Sequence, residues 1–177
     1  MWTTLPPCKC HRLALASAMT TINTARRAFF TGGAVSITHH VPWATEQFLE
    51  LCQRCDDCIQ SCEEGVLVRG DGGFPTVDFT RGACTFCGAC AERCQHAALD
   101  RSRQNAWQLR AIIGDDCLSA RGVMCRTCGE ECDKGAIRFR LQPGGRATAV
   151  VDGDACNGCG GCVAVCPTRV IRIQEAA

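Results

Sequence analysis

Tyrosine is missing from this chain, and all aromatics together make up only 6% of its 177 residues. So thin a supply of large side chains cannot fill a deep hydrophobic core along the whole length. An excess of one charge is missing too: 19 Lys and Arg stand against 18 Asp and Glu, a formal net charge of +1. That excludes the basic field of a nucleic-acid binder. No apolar run approaches the roughly 18 to 20 residues of a bilayer span. Histidine occurs only as His11, His39, His40 and His96. There is no Gly-rich phosphate loop, and no separate catalytic apparatus is visible, so an enzyme with its own substrate pocket is not expected. What is abundant is cysteine, 18 residues and about a tenth of the chain. That usage points to disulfides or metal as the element holding the fold together.

Sixteen of the cysteines fall in four groups. The first, Cys52, Cys55, Cys58 and Cys62, has the spacing C-x2-C-x2-C-x3-C. Cys84, Cys87, Cys90 and Cys94 repeat it, as do Cys156, Cys159, Cys162 and Cys166, the last followed by Pro167. The third group is irregular: Cys117 stands apart from Cys125, Cys128 and Cys132, with Leu118 to Met124 between. Cys8 and Cys10 lie alone near the start. Small or apolar residues recur after each fourth cysteine, at Val66-Leu67, Ala98-Leu99, Ala136-Ile137 and Val170-Ile171. These predict short strands leaving each site. Hairpins are expected from Val66 to Phe79, turning at Gly70-Asp71-Gly72-Gly73, and from Ile137 to Val151, turning at Pro143-Gly144-Gly145. The fourfold repeat organises the chain.

Three chemistries compete for these cysteines. A disulfide scaffold needs an oxidising compartment and gives no reason for repeated three-residue steps. Zinc takes paired ligands, C-x2-C with a distant second pair, and would leave thiolates in surplus. The run C-x2-C-x2-C-x3-C wraps a [4Fe–4S] cubane, with the fourth cysteine free to ligate a neighbouring cluster. Iron–sulfur is the reading the spacing favours. In the crossed wiring, Cys52, Cys55, Cys58 and Cys94 share one cluster, and Cys84, Cys87, Cys90 and Cys62 the next. Cys156, Cys159, Cys162 and Cys132 then share a third, leaving Cys117, Cys125, Cys128 and Cys166. Spacing does not exclude the alternative in which each group closes its own cluster, and the ligand set is the same either way. Three clusters are expected and a fourth is favoured, while a three-iron cluster, zinc or no metal stay open at the irregular group. With four cubanes of about −2 each, the +1 chain becomes an acidic protein of about −7.

The remaining motifs read as ordinary surface. His39-His40 suits a solvated loop, and His96 lies beside a cluster without binding it. The pairs Asp56-Asp57, Glu63-Glu64, Asp115-Asp116 and Glu130-Glu131 read as solvated faces. Residues 1–18 differ in character from the rest of the chain, so Met19 is the expected native start. Arg26-Arg27 before Phe29-Phe30 has the look of a twin-arginine export signal. Neither an apolar h-region nor a cleavage site comes after it, which implies a protein that stays in the cytoplasm.

The chain resembles the NapF family, the ferredoxin-type proteins of periplasmic nitrate reductase operons. The resemblance runs from Arg26 to Ile173 and rests on Arg26-Arg27, Pro42-Trp43, the segment from Arg69 to Pro75 and Ala106-Trp107-Gln108-Leu109. Ile113 to Leu118 and the run from Cys156 to Cys162 also carry it. It implies a cytoplasmic iron–sulfur protein that binds the precursor of the nitrate reductase catalytic subunit NapA. The implied role is maturation before export, by cluster assembly or reductive activation. A plain low-potential electron carrier is the alternative, and a redox sensor a weaker one. The expected fold is α+β: a ferredoxin-like tandem of [4Fe–4S]-binding βαβ units with short hairpins and an irregular N-terminal arm. The arm occupies 1–45, a first pair of units 46–110 and a second pair 111–177. Metal-free protein is expected to be largely disordered.

Overall fold

The structure is a computed structural model and describes residues 41–175. Cys8, Cys10, Met19, the Arg26-Arg27 segment, His39-His40 and nearly all of the expected arm lie outside the described residues.

Regular structure comes in very short pieces. Helix α1 is Phe48–Leu51 and α2 is Asp57–Gln60. Helix α3 is Ala89–Arg93, α4 is Thr127–Glu130 and α5 is Gly161–Ala164. One-turn helices do not form alone in water, because nucleation costs more than a single turn returns. Here α2, α3, α4 and α5 each carry the third cysteine of a group: Cys58, Cys90, Cys128 and Cys162. The cysteine loops dictate the helices rather than the reverse.

Six strands make three antiparallel ribbons. Strand β1 (Leu67–Arg69) pairs with β2 (Pro75–Val77), with Val68 opposite Thr76. Gly72 and Gly73 take positive φ (64° and 80°) in the turn between them, a conformation glycine enters without steric cost. Strand β3 (Leu109–Ile113) pairs with β6 (Ile171–Glu175), and β4 (Ile137–Gln142) with β5 (Arg146–Val151). Both expected hairpins are present. The expected βαβ units are not: every pair is antiparallel, since a parallel pair needs a crossover of a dozen or more residues that one-turn helices do not supply. The exit at Ala98-Leu99 is also not a strand. Ala97 turns into positive φ (54°), and Leu99 makes a single bridge to Ala44. The content is mixed and segregated, hence α+β.

Two small apolar cores form. One gathers Val41, Trp43, Phe48, Leu67, Cys90 and Leu99; the other gathers Ala111, Cys128, Ile137, Cys162 and Ile171. Cysteines belong to both, so the thiols are part of the packing. An aromatic joint lies between the cores. Trp107 packs edge-on against Phe79 (centroids 5.8 Å apart) and Phe86 (5.5 Å), and its Nε1–H donates to the Asn157 carbonyl at 3.0 Å. Trp107→Ala removes both ring contacts and that hydrogen bond, for an expected cost of about 2–4 kcal/mol. Denaturant unfolding of the holoprotein checks it.

Candidate metal centres

The backbone around each cysteine group obeys a rule. In the three regular groups, the residues on either side of the second cysteine are both left-handed: Arg54 and Asp56, Phe86 and Gly88, Gly158 and Gly160, with φ between 55° and 87°. Alternation of this kind turns successive amides inward into a concavity that accepts anions and the sulfurs of iron–sulfur sites. The Phe86 amide acts on the Cys84 sulfur and the Gly161 amide on that of Cys159, each favouring the thiolate against the larger upward push of burial. In the irregular group Arg126 has φ −136° and Met124 is not left-handed. A further left-handed residue recurs three places after every fourth cysteine, at Gly65, Ala97, Gly135 and Arg169. It ends the cysteine loop and turns the chain outward toward the next segment.

These loops bring the thiols together in four sets. Cys52, Cys55, Cys58 and Cys94 line one cavity, with His96 at its wall. Cys62, Cys84, Cys87 and Cys90 line a second. Cys117, Cys125, Cys128 and Cys166 line a third. Cys132 and Cys156 lie within electrostatic reach of both Cys159 and Cys162, whereas Cys128 reaches Cys162 alone, so these four complete the fourth set. In each set three thiols come from one group and one from its neighbour, the crossed arrangement. The Leu118–Met124 excursion returns Cys125 to its set through a compact loop. Its Val123 amide donates to the Leu118 carbonyl (3.0 Å), and the carbonyl of buried Ser119 accepts from the Ala147 amide (3.0 Å).

The electrostatics match a cationic occupant. Burial pushes the Cys90 thiol up to about 12, and the neighbouring thiols Cys84, Cys58 and Cys87 add to it. Cys162 likewise rises to about 12, and Cys58, Cys84 and Cys128 to about 11, with burial the first cause in each. At Cys166 burial also pushes upward, but hydrogen bonds from Val170, Thr168 and Arg169 outweigh it and hold the thiol below its ordinary value. Four converging thiolates repel one another unless a positive core sits between them, so cluster uptake must release protons. Among the described residues, no three Cys, His, Asp or Glu are arranged to hold a single ion. A cubane spreads its thiolates over four irons and so needs them wider apart than one ion does. Four thiols converging on each site, from loops with the C-x2-C-x2-C-x3-C spacing or its stretched form, fit [4Fe–4S] cores, which would supply one-electron chemistry.

The same thiols make the metal-free chain sensitive to alkali. A thiol whose folded pKa lies above its ordinary value of 9.0 favours the fold fully below 9.0, and that contribution is lost as pH rises through 11 to 12. The small fraction of metal-free, reduced protein that is still folded at neutral pH is expected to shrink further as pH rises from 9.0 through 11 to 12. Tryptophan fluorescence against pH measures it.

One surface expectation is corrected. Asp56 and Asp57 are half-buried rather than solvated, and left-handed Asp56 turns inward to pair with Arg69 through Oδ2. Glu63, Glu64, Asp115, Asp116, Glu130 and Glu131 are exposed. Sequence reasoning missed the aromatic joint and the non-glycine left-handed residues. Arg54, Phe86, Ala97 and Arg169 carry no local mark of positive φ, and their offset within the cysteine repeat is the signal that finds them.

Two family models, both described as 4Fe-4S dicluster domains, match residues 51–99 and 123–170. The second begins after Cys117, at the irregular step. The chain is 39% identical over 157 residues to the ferredoxin-type protein NapF of Escherichia coli (strain K12), covering 86% of this chain and 96% of that one. It is 39% identical over 136 residues to the ferredoxin-type protein NapF of Haemophilus influenzae, covering 76% and 77%. The ferredoxin-type protein NapG of Escherichia coli (strain K12) is 32% identical over 140 residues, covering 67% and 61%. Among the described residues, no helix is long and apolar enough to cross a membrane.

Proposed function

Because the chain belongs to the NapF family of ferredoxin-type iron–sulfur proteins, we propose that it works in the cytoplasm on the precursor of the nitrate reductase catalytic subunit NapA. There it assists maturation before export, by cluster assembly or reductive activation, without a substrate site of its own. Four [4Fe–4S] clusters are held by the sets described above, the irregular one of Cys117, Cys125, Cys128 and Cys166 included. Residues 46–110 and 111–177 act as two paired units, each with two sites. The observation carrying this reading is the 39% identity over 86% of the chain. The convergence of sixteen thiols into four sets supports the cluster count.

The test is an anaerobic pull-down of tagged protein from nitrate-respiring cells, with iron, sulfide and partner read from one preparation. NapA still carrying its signal peptide, beside about 16 irons per chain, supports the proposal. Association with mature NapA alone would sink it. A plain electron carrier is the second reading, favoured by four sites that each offer four cysteine thiols as ligands. It requires that deletion of the gene leave the catalytic subunit fully loaded with cofactor.

A further inference from the structure

The four thiol sets have an order in space that their order in sequence conceals. Cys90 of the Cys62 set lies within electrostatic reach of Cys58 in the Cys52 set. Cys162 of the Cys132 set lies within reach of Cys128 in the Cys117 set. Between the two halves a third contact closes the gap. Cys84 lies within reach of Cys159, and its amide donates directly to the Cys159 carbonyl at 2.8 Å. That is a backbone bond between ligand loops of different halves, not a glancing surface approach. It is buttressed from both sides. Gly160, next to Cys159, has no room for a Cβ because the Phe79 ring occupies the place. Trp107 bridges Phe79, Phe86 beside Cys87 and the carbonyl of Asn157 beside Cys156.

We propose that the four sites form one unbranched series, in which the Cys84–Cys159 contact joins the inner sites, and the sites of Cys52-Cys55-Cys58-Cys94 and Cys117-Cys125-Cys128-Cys166 are its two ends. The protein is then a single through-conductor rather than two independent two-cluster carriers. With cubanes bound, an electron given to one end site by a one-electron donor protein would pass by successive one-electron exchanges between neighbouring sites to a one-electron acceptor at the other end. At each exchange one site is oxidised and the next reduced, with no bond made or broken. Tunnelling falls off exponentially with distance, so the sites whose ligand sulfurs adjoin exchange fastest. The irregular group thereby acquires a place: its loop bends back so that a complete site stands at the far end of the series. Val123 and Met124, 52% and 96% exposed, lie on that terminal loop beside Cys125.

The inference rests on the cluster reading above, and electron paramagnetic resonance of dithionite-reduced holoprotein separates the two. Cys55→Ala with Cys117→Ala removes one ligand from each end site and leaves the inner sites intact. Its iron should fall by about half, and its two remaining signals should be broadened by mutual spin coupling. Cys87→Ala with Cys159→Ala removes the inner sites instead, and its two signals should be sharp and independent. Uncoupled signals from the inner pair, at full occupancy, would overturn the series. Should these variants fail to retain iron, Phe79→Ala with Trp107→Ala keeps every ligand and loosens only the joint. The fully reduced spectrum should then lose broadening at unchanged iron content, and an unchanged spectrum would overturn the proposal. Wild-type protein without iron would instead refute the cluster reading itself.

Discussion

Stripping the iron anaerobically is expected to abolish most of the fold, not merely the colour of the protein. The longest helix among the described residues is the five-residue Ala89–Arg93, and the longest strands have six residues. None of these persists without tertiary support. That support is slight, because the two apolar cores are small and count Cys90, Cys128 and Cys162 among their buried members. Domains are stable by only ~5–15 kcal/mol, and here much of that margin is metal–ligand energy released only when the loops are folded. Amide exchange within β3 and β6 should accelerate by at least about a hundredfold, which corresponds to ~2.7 kcal/mol of lost protection. Far-UV circular dichroism would register little, given so few helical residues. Exchange and limited proteolysis are the discriminating measurements. A metal-free protein with native protection would show that packing alone carries the fold.

Cysteine periodicity makes the sites legible in the sequence. Spacing names all sixteen thiols that the fold gathers, and the glycine-rich turns announce the β1–β2 and β4–β5 hairpins. Both signals are local, which is why sequence carries them. The β3–β6 ribbon is different. It joins Leu109 to Glu175 and Ile113 to Ile171 across about sixty residues, and neither segment has a turn signal pointing to the other. The order of the sites is hidden for the same reason. Cys84 and Cys159 are 75 positions apart, and tertiary packing that includes Phe79, Phe86 and Trp107 brings them together. The βαβ expectation fails because an alternation of cysteine loops with apolar pairs mimics that motif, although the intervening helices are too short to cross over.

Gly158→Ala and Gly160→Ala are expected to damage the Cys132-Cys156-Cys159-Cys162 site by different routes, and a pair of double-mutant cycles tells them apart. Both positions have positive φ, 71° and 83°, so either alanine costs about 1–2 kcal/mol in backbone strain alone. At Gly158 the new Cβ would stand 2.5 Å from the Leu109 carbonyl oxygen. That oxygen belongs to the β3 backbone, which is fixed by pairing with β6, so the overlap adds about 1–3 kcal/mol. Trimming Leu109 to alanine leaves the carbonyl where it is, and no rescue should appear. At Gly160 the obstacle is the Phe79 ring, a side chain. Phe79→Ala should relieve it, giving a favourable coupling of about 1–3 kcal/mol in the Phe79/Gly160 cycle. Iron content and thermal unfolding should move together in both single variants, because the loop that clashes is the loop that ligates. Rescue at 158, or its failure at 160, would mean that the joint between the halves is not built on these contacts.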